Sequence, residues 1–220
     1  MRARITSWIL SPLTGILAVA APTHAQTTVS VGPSFGYYRP LGSFDLAKAS
    51  VFSTALPETP SELRGFATGG VAQVTFGRRL GVEARLSVAN SSVREVNTPA
   101  GPMGPTGARV VAASLLGQYE VSPTLESYRL WLSAGPGVVR HGGDAYARYG
   151  SPTSIAGAFG VGLRLPLPMH FRFAADATTL VYPFDVEVPT IIMDWSNPYT
   201  LQRGRQVDAL VHLGLQWVVR

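Results

Sequence analysis

The residues able to do chemistry are few in this chain, and they are scattered. Asp208 and His212 are the most promising pair, since a carboxylate beside an imidazole can orient a general base. In an extended segment positions i and i+4 share a face but stand roughly 13 Å apart, too far for a direct dyad. The four His (His24, His141, His170 and His212) have no mutual spacing that would gather metal ligands, and there is no Cys; neither a metal nor a cofactor is expected. The run GAFGVG, with Gly157, Gly160 and Gly162, imitates a phosphate-cradling loop. That fingerprint needs a helix after it, whereas Leu163-Arg164-Leu165 continues a strand pattern, so these are packing glycines. GPMGPTG, Gly101 to Gly107, contains two collagen-like triplets, too few for a triple helix, and reads as a turn-rich loop. No catalytic residue is assigned, and an enzyme is not expected.

The elements that must position these residues are strands. The last stretch, QVDALVHLGLQWVVR from Gln206 to Arg220, puts Val207, Ala209, Val211, Leu213, Leu215, Trp217 and Val219 on one face. Asp208, His212, Gly214 and Gln216 fall on the other. Period-two segments also run from Thr28 to about Pro40, Phe66 to Phe76, Leu80 to Val93, Ala108 to Glu120, Tyr128 to Arg140, Thr153 to Leu165 and Met169 to Tyr182. Each is as long as the roughly 9 to 11 residues a tilted strand needs to cross a bilayer. The connections alternate long and short along the chain, the last long one being Pro183 to Arg205. This pattern gives an all-β fold, an eight-stranded antiparallel up-and-down transmembrane β-barrel.

The two faces carry different chemistry. Assigned inward are Glu83, Arg85, Glu120, Arg129, Arg164, Arg172, Asp176, Asp208 and His212, with Gln73 and Gln118. An eight-stranded barrel is just wide enough for side chains to fill it, so mixed charges beside inward glycines read as an ion-paired plug rather than an open pore. Phe76, Tyr119, Tyr128, Phe171 and Trp217 are expected in a lower aromatic girdle, and Phe35, Tyr37, Phe66 and Tyr182 in an upper one. Pro33 and Pro136 interrupt strands, and a bulge or an exposed strand end is expected at each. Val110, Val111, Ala112 and Ala113 leave the face of their strand open.

The amino terminus reads as a secretory signal peptide over residues 1–25: basic Met1-Arg2-Ala3-Arg4, apolar Trp8 to Ala21, and a Thr23-His24-Ala25 cleavage site. Residues 26–220 then form one barrel domain. Hydrophobic residues make up 46% of the chain and charged ones 14%, which suits a membrane barrel of this length. Losing Arg2 and Arg4 from the 18 basic residues leaves an excess of three over the 13 acidic ones, spread along the chain, so nucleic acid is not a partner.

The opening GYYRPLGSF (Gly36 to Phe44), the strand pattern and the closing strand together resemble small bacterial outer-membrane β-barrels of the OmpA, OmpX and OmpW type. The ending His212, Gly214, Trp217 and Val219 resembles the signal by which the barrel-assembly machinery recognises its clients, although such strands usually stop at an aromatic residue and this chain ends Val219-Arg220. The resemblance implies residence in the outer membrane of a Gram-negative-type envelope, with outer-membrane lipid and the assembly machinery as partners. It also implies long extracellular loops and a structural or interaction role carried by them. Lipid A deacylases place a Ser two residues after a late-strand His; here Gly214 follows His212 and Arg172 follows His170. A passive conduit or binder for small hydrophobic compounds is the alternative, as in OmpW-type barrels. A soluble lipocalin-like barrel would need the opposite distribution of polar residues. The last long loop holds Ile191, Ile192, Met193, Trp195 and Tyr199, an apolar set where solvent-facing residues should be polar, and is the candidate contact surface.

Overall fold

The computed structural model describes residues 27–41, 61–77, 79–94, 105–121, 128–147, 153–189 and 199–219. Residues 1–25, expected to be a signal peptide, and the loop residues Ile191, Ile192, Met193 and Trp195 lie outside them. The elements are β1 (Thr27–Pro40), a two-residue β2 (Ser61–Glu62), β3 (Gly65–Phe76), β4 (Leu80–Arg94), β5 (Thr106–Glu120), β6 (Arg129–Gly142), a short α1 (Asp144–Ala147), β7 (Thr153–Pro166), β8 (Phe171–Pro189) and β9 (Tyr199–Val219). The eight long strands pair antiparallel with their chain neighbours, and β9 closes the sheet on β1. This is a closed up-and-down β-barrel. β2 only extends the long-loop end of β4, through Ser61 opposite Arg94.

Alternation of residue type produces the two faces. Along β1, Ser30, Ser34 and Tyr38 are buried while Val31, Phe35 and Tyr37 are exposed on the outer wall. Leu86, Leu115, Leu132, Phe159, Leu213, Leu215 and Trp217 continue that apolar outer wall around the barrel. In water each would forfeit about 25 cal/mol per Å² left unburied, a cost that lipid removes. In β5, Ala108, Val110 and Ala112 are buried and Ala113 and Leu115 exposed, which settles the face of the strand whose pattern allowed either.

The interior has two storeys. Toward the long-loop ends it is apolar and aromatic, with Tyr38, Val110, Val139, Tyr146, Leu180, Tyr182, Phe184 and Leu210 in one buried cluster. Toward the short turns it is polar, with Ser30, Gln73, Glu83, Arg85, Gln118, Arg164 and Gln216 buried.

Several expectations need correction. Neither Pro33 nor Pro136 makes a bulge or a free end. β1 pairs with β9 at Val31 opposite Trp217 and again at Ser34 opposite Gly214, the register unchanged. β5 and β6 do the same at Ser114 opposite Gly137 and Gly117 opposite Ala134. A proline lacks one donor, and that donor serves one neighbour only, so the ladder on the other side runs on through Pro33 opposite Gly70 and Pro136 opposite Gly157. Tyr182 does not stand in an outer girdle but is buried inside. The last long connection is also shorter than expected. Tyr182 to Pro189 pairs with Gln206 to Tyr199, while β7 leaves β8 above Gly157 opposite Val181, and β1 leaves β9 above Pro40 opposite Asp208. The tip of β8 and β9 is therefore a two-stranded arm projecting past its neighbours.

Candidate functional site

Three strands bring one charged ring together in the polar storey. Glu83 and Arg85 stand two residues apart on β4, so they share the inward face, and Arg164 on β7 and Asp176 on β8 face them. Arg85 Nη2 meets Glu83 Oε1 at 2.7 Å and Asp176 Oδ2 at 2.9 Å. Arg164 Nη2 donates to Glu83 Oε2 at 2.9 Å, and its Nη1 donates to Asp176 Oδ1. The result is a closed ring of two guanidinium groups and two carboxylates, net neutral, with all four side chains at most a tenth exposed. Charges removed from water are tolerable only when paired and hydrogen-bonded in this way.

Local sequence makes room for the ring. Gly162 lies on β7 opposite Asp176, and a Cβ there would press on Asp176 Oδ1 and come 2.6 Å from Arg164 Nη1. With only a hydrogen at that position the pair closes without either side chain being displaced. A chain of amides continues the network: Gln118 Nε2 donates to Glu83 Oε2 at 2.8 Å, Gln73 Nε2 donates to Gln118 Oε1, and Ser30 Oγ lies 3.4 Å from Gln73 Oε1 and 3.3 Å from Gln216 Oε1, with one proton to donate to either.

His212 attaches to this ring as a neutral acceptor. Arg85 Nη1 lies 3.1 Å from His212 Nδ1, and an arginine can only donate, so Nδ1 carries the lone pair. The ring proton is then on Nε2, 3.1 Å from Ser87 Oγ, which accepts it. Asp208 belongs to a different group. Tyr38 donates to its Oδ2 at 3.0 Å, Tyr182 donates to the same oxygen, and Gln206 Nε2 donates to Oδ1 at 2.9 Å. Tyr182 Oη also lies 3.2 Å from His141 Nε2, whose ring sits among Tyr146 and Phe184. Asp208 and His212 thus face the same lumen with separate partners.

The remaining inward residues hold separate positions. Glu120 and Arg129 pair at 3.4 Å across β5 and β6, with the Arg129 side chain half exposed. Arg172 Nη1 donates to Gln73 Oε1 at 3.3 Å. In the closing strand His212 and Gly214 point in, while Trp217 and Val219 point out at 57% and 47% exposure. Of the apolar loop set only Tyr199 is described, as the first residue of β9 opposite Pro189. Among the described residues no three His, Cys, Asp or Glu side chains gather as metal ligands.

Sequence reasoning passed over Tyr38, Ser87, His141 and Gln206. Each continues an alternation already recognised: Tyr38 follows Ser30 and Ser34, and His141 follows inward Gly135 and Gly137. The same parity puts Tyr182 inside, six residues from Asp176. Reading an aromatic near a strand end as girdle overrode it.

No protein-family model and no curated protein matches the sequence. The likeness is in structure. The outer membrane protein OprG from Pseudomonas aeruginosa superposes with a TM-score of 0.63 at 15% identity, over 90% of this chain and 98% of that one. The outer membrane protein AlkL, determined in DMPC lipid bilayers, gives a TM-score of 0.55 at 16% identity, over 100% of this chain and 97% of that one. The chain has the fold of the small eight-stranded outer-membrane β-barrels.

Proposed function

We propose that this chain is an integral outer-membrane barrel that acts through its extracellular end, as an interaction protein rather than a channel. The observation that carries this reading is the arm of β8 and β9. Its backbone pairs run from Tyr182 opposite Gln206 to Pro189 opposite Tyr199, and among the described residues no other strand pairs with it on either side. Two open strand edges beyond the membrane offer backbone donors and acceptors to a partner. The lumen is filled below that end by the Glu83, Arg85, Arg164 and Asp176 ring, so an aqueous path has no room. The apolar outer wall, and the bilayer setting of AlkL, support membrane residence.

One observation favours a second reading, a conduit for small hydrophobic compounds. The upper interior carries an apolar and aromatic cluster, and among the described residues the β7–β8 ladder stops at Gly157 opposite Val181. An apolar solute entering from outside could leave sideways there.

Single-channel recording and uptake of an apolar fluorescent probe by cells separate the two. The interaction reading expects near-zero conductance and near-zero uptake. Uptake that disappears when Ile191 to Trp195 is replaced by Gly and Ser would overturn it in favour of the conduit, and a large stable conductance would overturn both.

A further inference from the structure

Charge is sorted by face in this barrel, and the outward part of that sorting has no role in either reading above. Among the described side chains of the barrel strands, the carboxylates Glu83, Glu120, Asp176 and Asp208 are all buried in the lumen. Within the barrel strands, the exposed, outward charges near the long-loop end are all arginines, Arg39, Arg109, Arg140 and Arg205, with the exposed carboxylate of Asp144 beyond them at the start of α1. Two of them are adjacent. Arg140 on β6 lies opposite Val111 on β5, and Arg109 is two residues further along β5 on the same outward face. Such diagonal neighbours are about 7–8 Å apart, within reach of a single phosphate group for two long side chains. Among the described residues neither Arg109 nor Arg140 has an ion pair or a side-chain hydrogen bond. At the opposite rim, by contrast, Arg79 donates to Tyr119 Oη at 3.2 Å.

Directly below the arginine pair the outer wall is grooved. The groove, about 730 Å³, is lined by Ala84, Leu86, Ala113, Leu115, Val138 and Ile155 among others, and continues to Val31. It exists because alanines and Gly70 sit between branched ridges. Ala113 lies opposite Leu86 on one side and Val138 on the other, and Val138 lies opposite Ile155. Because strands tilt by roughly 35–45°, a groove that follows the ladder crosses the bilayer obliquely. Its Val31 end is near the short-turn start of β1, and its Ile155 end near the long-loop start of β7. Arg140 stands two residues beyond Val138, at that upper end. The volume falls in the roughly 300–1,000 Å³ range of ligand sites.

We infer that this wall is a binding site for one phosphate-bearing lipid of the outer leaflet, its phosphate held by Arg109 and Arg140 and an acyl chain lying in the groove below. Charge complementarity selects the occupant. Asp144 begins α1 close by, but among the described residues no carboxylate is in ion-pair distance of either guanidinium, and an unpaired guanidinium pair favours a phosphate, which can take up bidentate hydrogen bonds. A purely apolar neighbour would leave both charges against hydrocarbon.

The test is native mass spectrometry of the folded barrel in micelles containing bisphosphorylated lipid A, its dephosphorylated form, or inorganic phosphate alone. A single retained adduct of the bisphosphorylated lipid is expected. R109Q/R140Q should weaken it about thirtyfold, and R140Q alone about fivefold, at roughly one surface-arginine contribution each. R79Q at the other rim should leave it unchanged. A113F, which fills the groove and keeps both arginines, should weaken it as well. Equal retention of the dephosphorylated lipid, indifference to R140Q, or indifference to A113F would overturn the proposal. So would displacement of the adduct by inorganic phosphate, or a dimer of the barrel that A113F disrupts. Each variant is checked for heat-modifiable gel mobility, and should the double variant fail to fold, R140Q and A113F carry the decision.

Discussion

Arg164→Met is the sharpest probe of the lumen ring, because Arg164 is 1% exposed and bridges Glu83 and Asp176. Methionine keeps much of the apolar stem, so the loss is mainly electrostatic. After the change Glu83 retains Arg85 at 2.7 Å and Gln118 at 2.8 Å, and Asp176 retains Arg85 at 2.9 Å. Two buried carboxylates then share one guanidinium. Removing one member of a buried pair costs about 3–5 kcal/mol, and the surviving Arg85 contacts place this case near 3, a factor above one hundred in the folding equilibrium. Arg164→Met with Asp176→Leu restores neutrality, and apolar replacement of a whole pair is often neutral or better, so the double variant should regain about 2 kcal/mol or more. The assay is urea unfolding in phospholipid vesicles, followed by tryptophan fluorescence and heat-modifiable gel mobility. An Arg164→Met cost below about 1 kcal/mol, or a double variant no more stable than the single, would refute the ring as a coupled unit.

Three further outcomes are expected. Gly162→Ala should destabilise the barrel by about 1–3 kcal/mol through overpacking against Asp176 and Arg164, and the same unfolding assay showing a change of a few tenths would mean the ring can shift to accept a Cβ. Leu213→Arg, on the outer wall midway along the closing strand, should cost roughly 2–4 kcal/mol, whereas Trp217→Arg near the short-turn rim should cost about 0–1; equal losses of folded yield would refute the depth assignment. Met169 and His170 both have left-handed backbone angles, φ 58° and 65°, in the turn between β7 and β8. Met169→Asn with His170→Gly supplies the residues such a turn favours and should stabilise by about 1 kcal/mol in urea unfolding, an unchanged midpoint counting against strain there.

The fold was legible because alternation is a local property. Each strand's period of two shows in a few residues, and Ser30, Gly32 and Ser34 against Val31 and Phe35 needed no partner strand to be read. The inward set followed from the same signal. What the sequence does not contain is which inward residues meet, since that depends on register between distant strands. Glu83 and Arg164 are brought together only when β4 and β7 face each other across the lumen, and the grouping of Asp208 with Tyr38 rather than with a cation depends on β9 lying beside β1. The projecting arm was missed for a different reason. Pro183, Pro189 and the polar residues between β8 and β9 look like loop, yet an edge pairing on one side tolerates proline. Among the described residues Pro183 and Pro189 each lie opposite one partner, Arg205 and Tyr199.

Closure of the lumen is layered, and the layers rest on different physics. The lower storey is held by charge pairing, which requires volume for long side chains; Gly162 supplies it beside Arg164, and the amides of Gln73 and Gln118 occupy the remainder with directed hydrogen bonds. In the upper storey Tyr146, Tyr182 and Phe184 pack around His141 with tilted and edge-on ring contacts, so that layer rests on aromatic packing. A defect in one layer therefore leaves the other in place. Arg164→Met should weaken the barrel without opening it, so stability and conductance should part company in the same variant. If loss of Arg164 alone produced a steady ionic current, the aromatic storey would not be a seal, and the case for action at the extracellular end rather than through the lumen would fail with it.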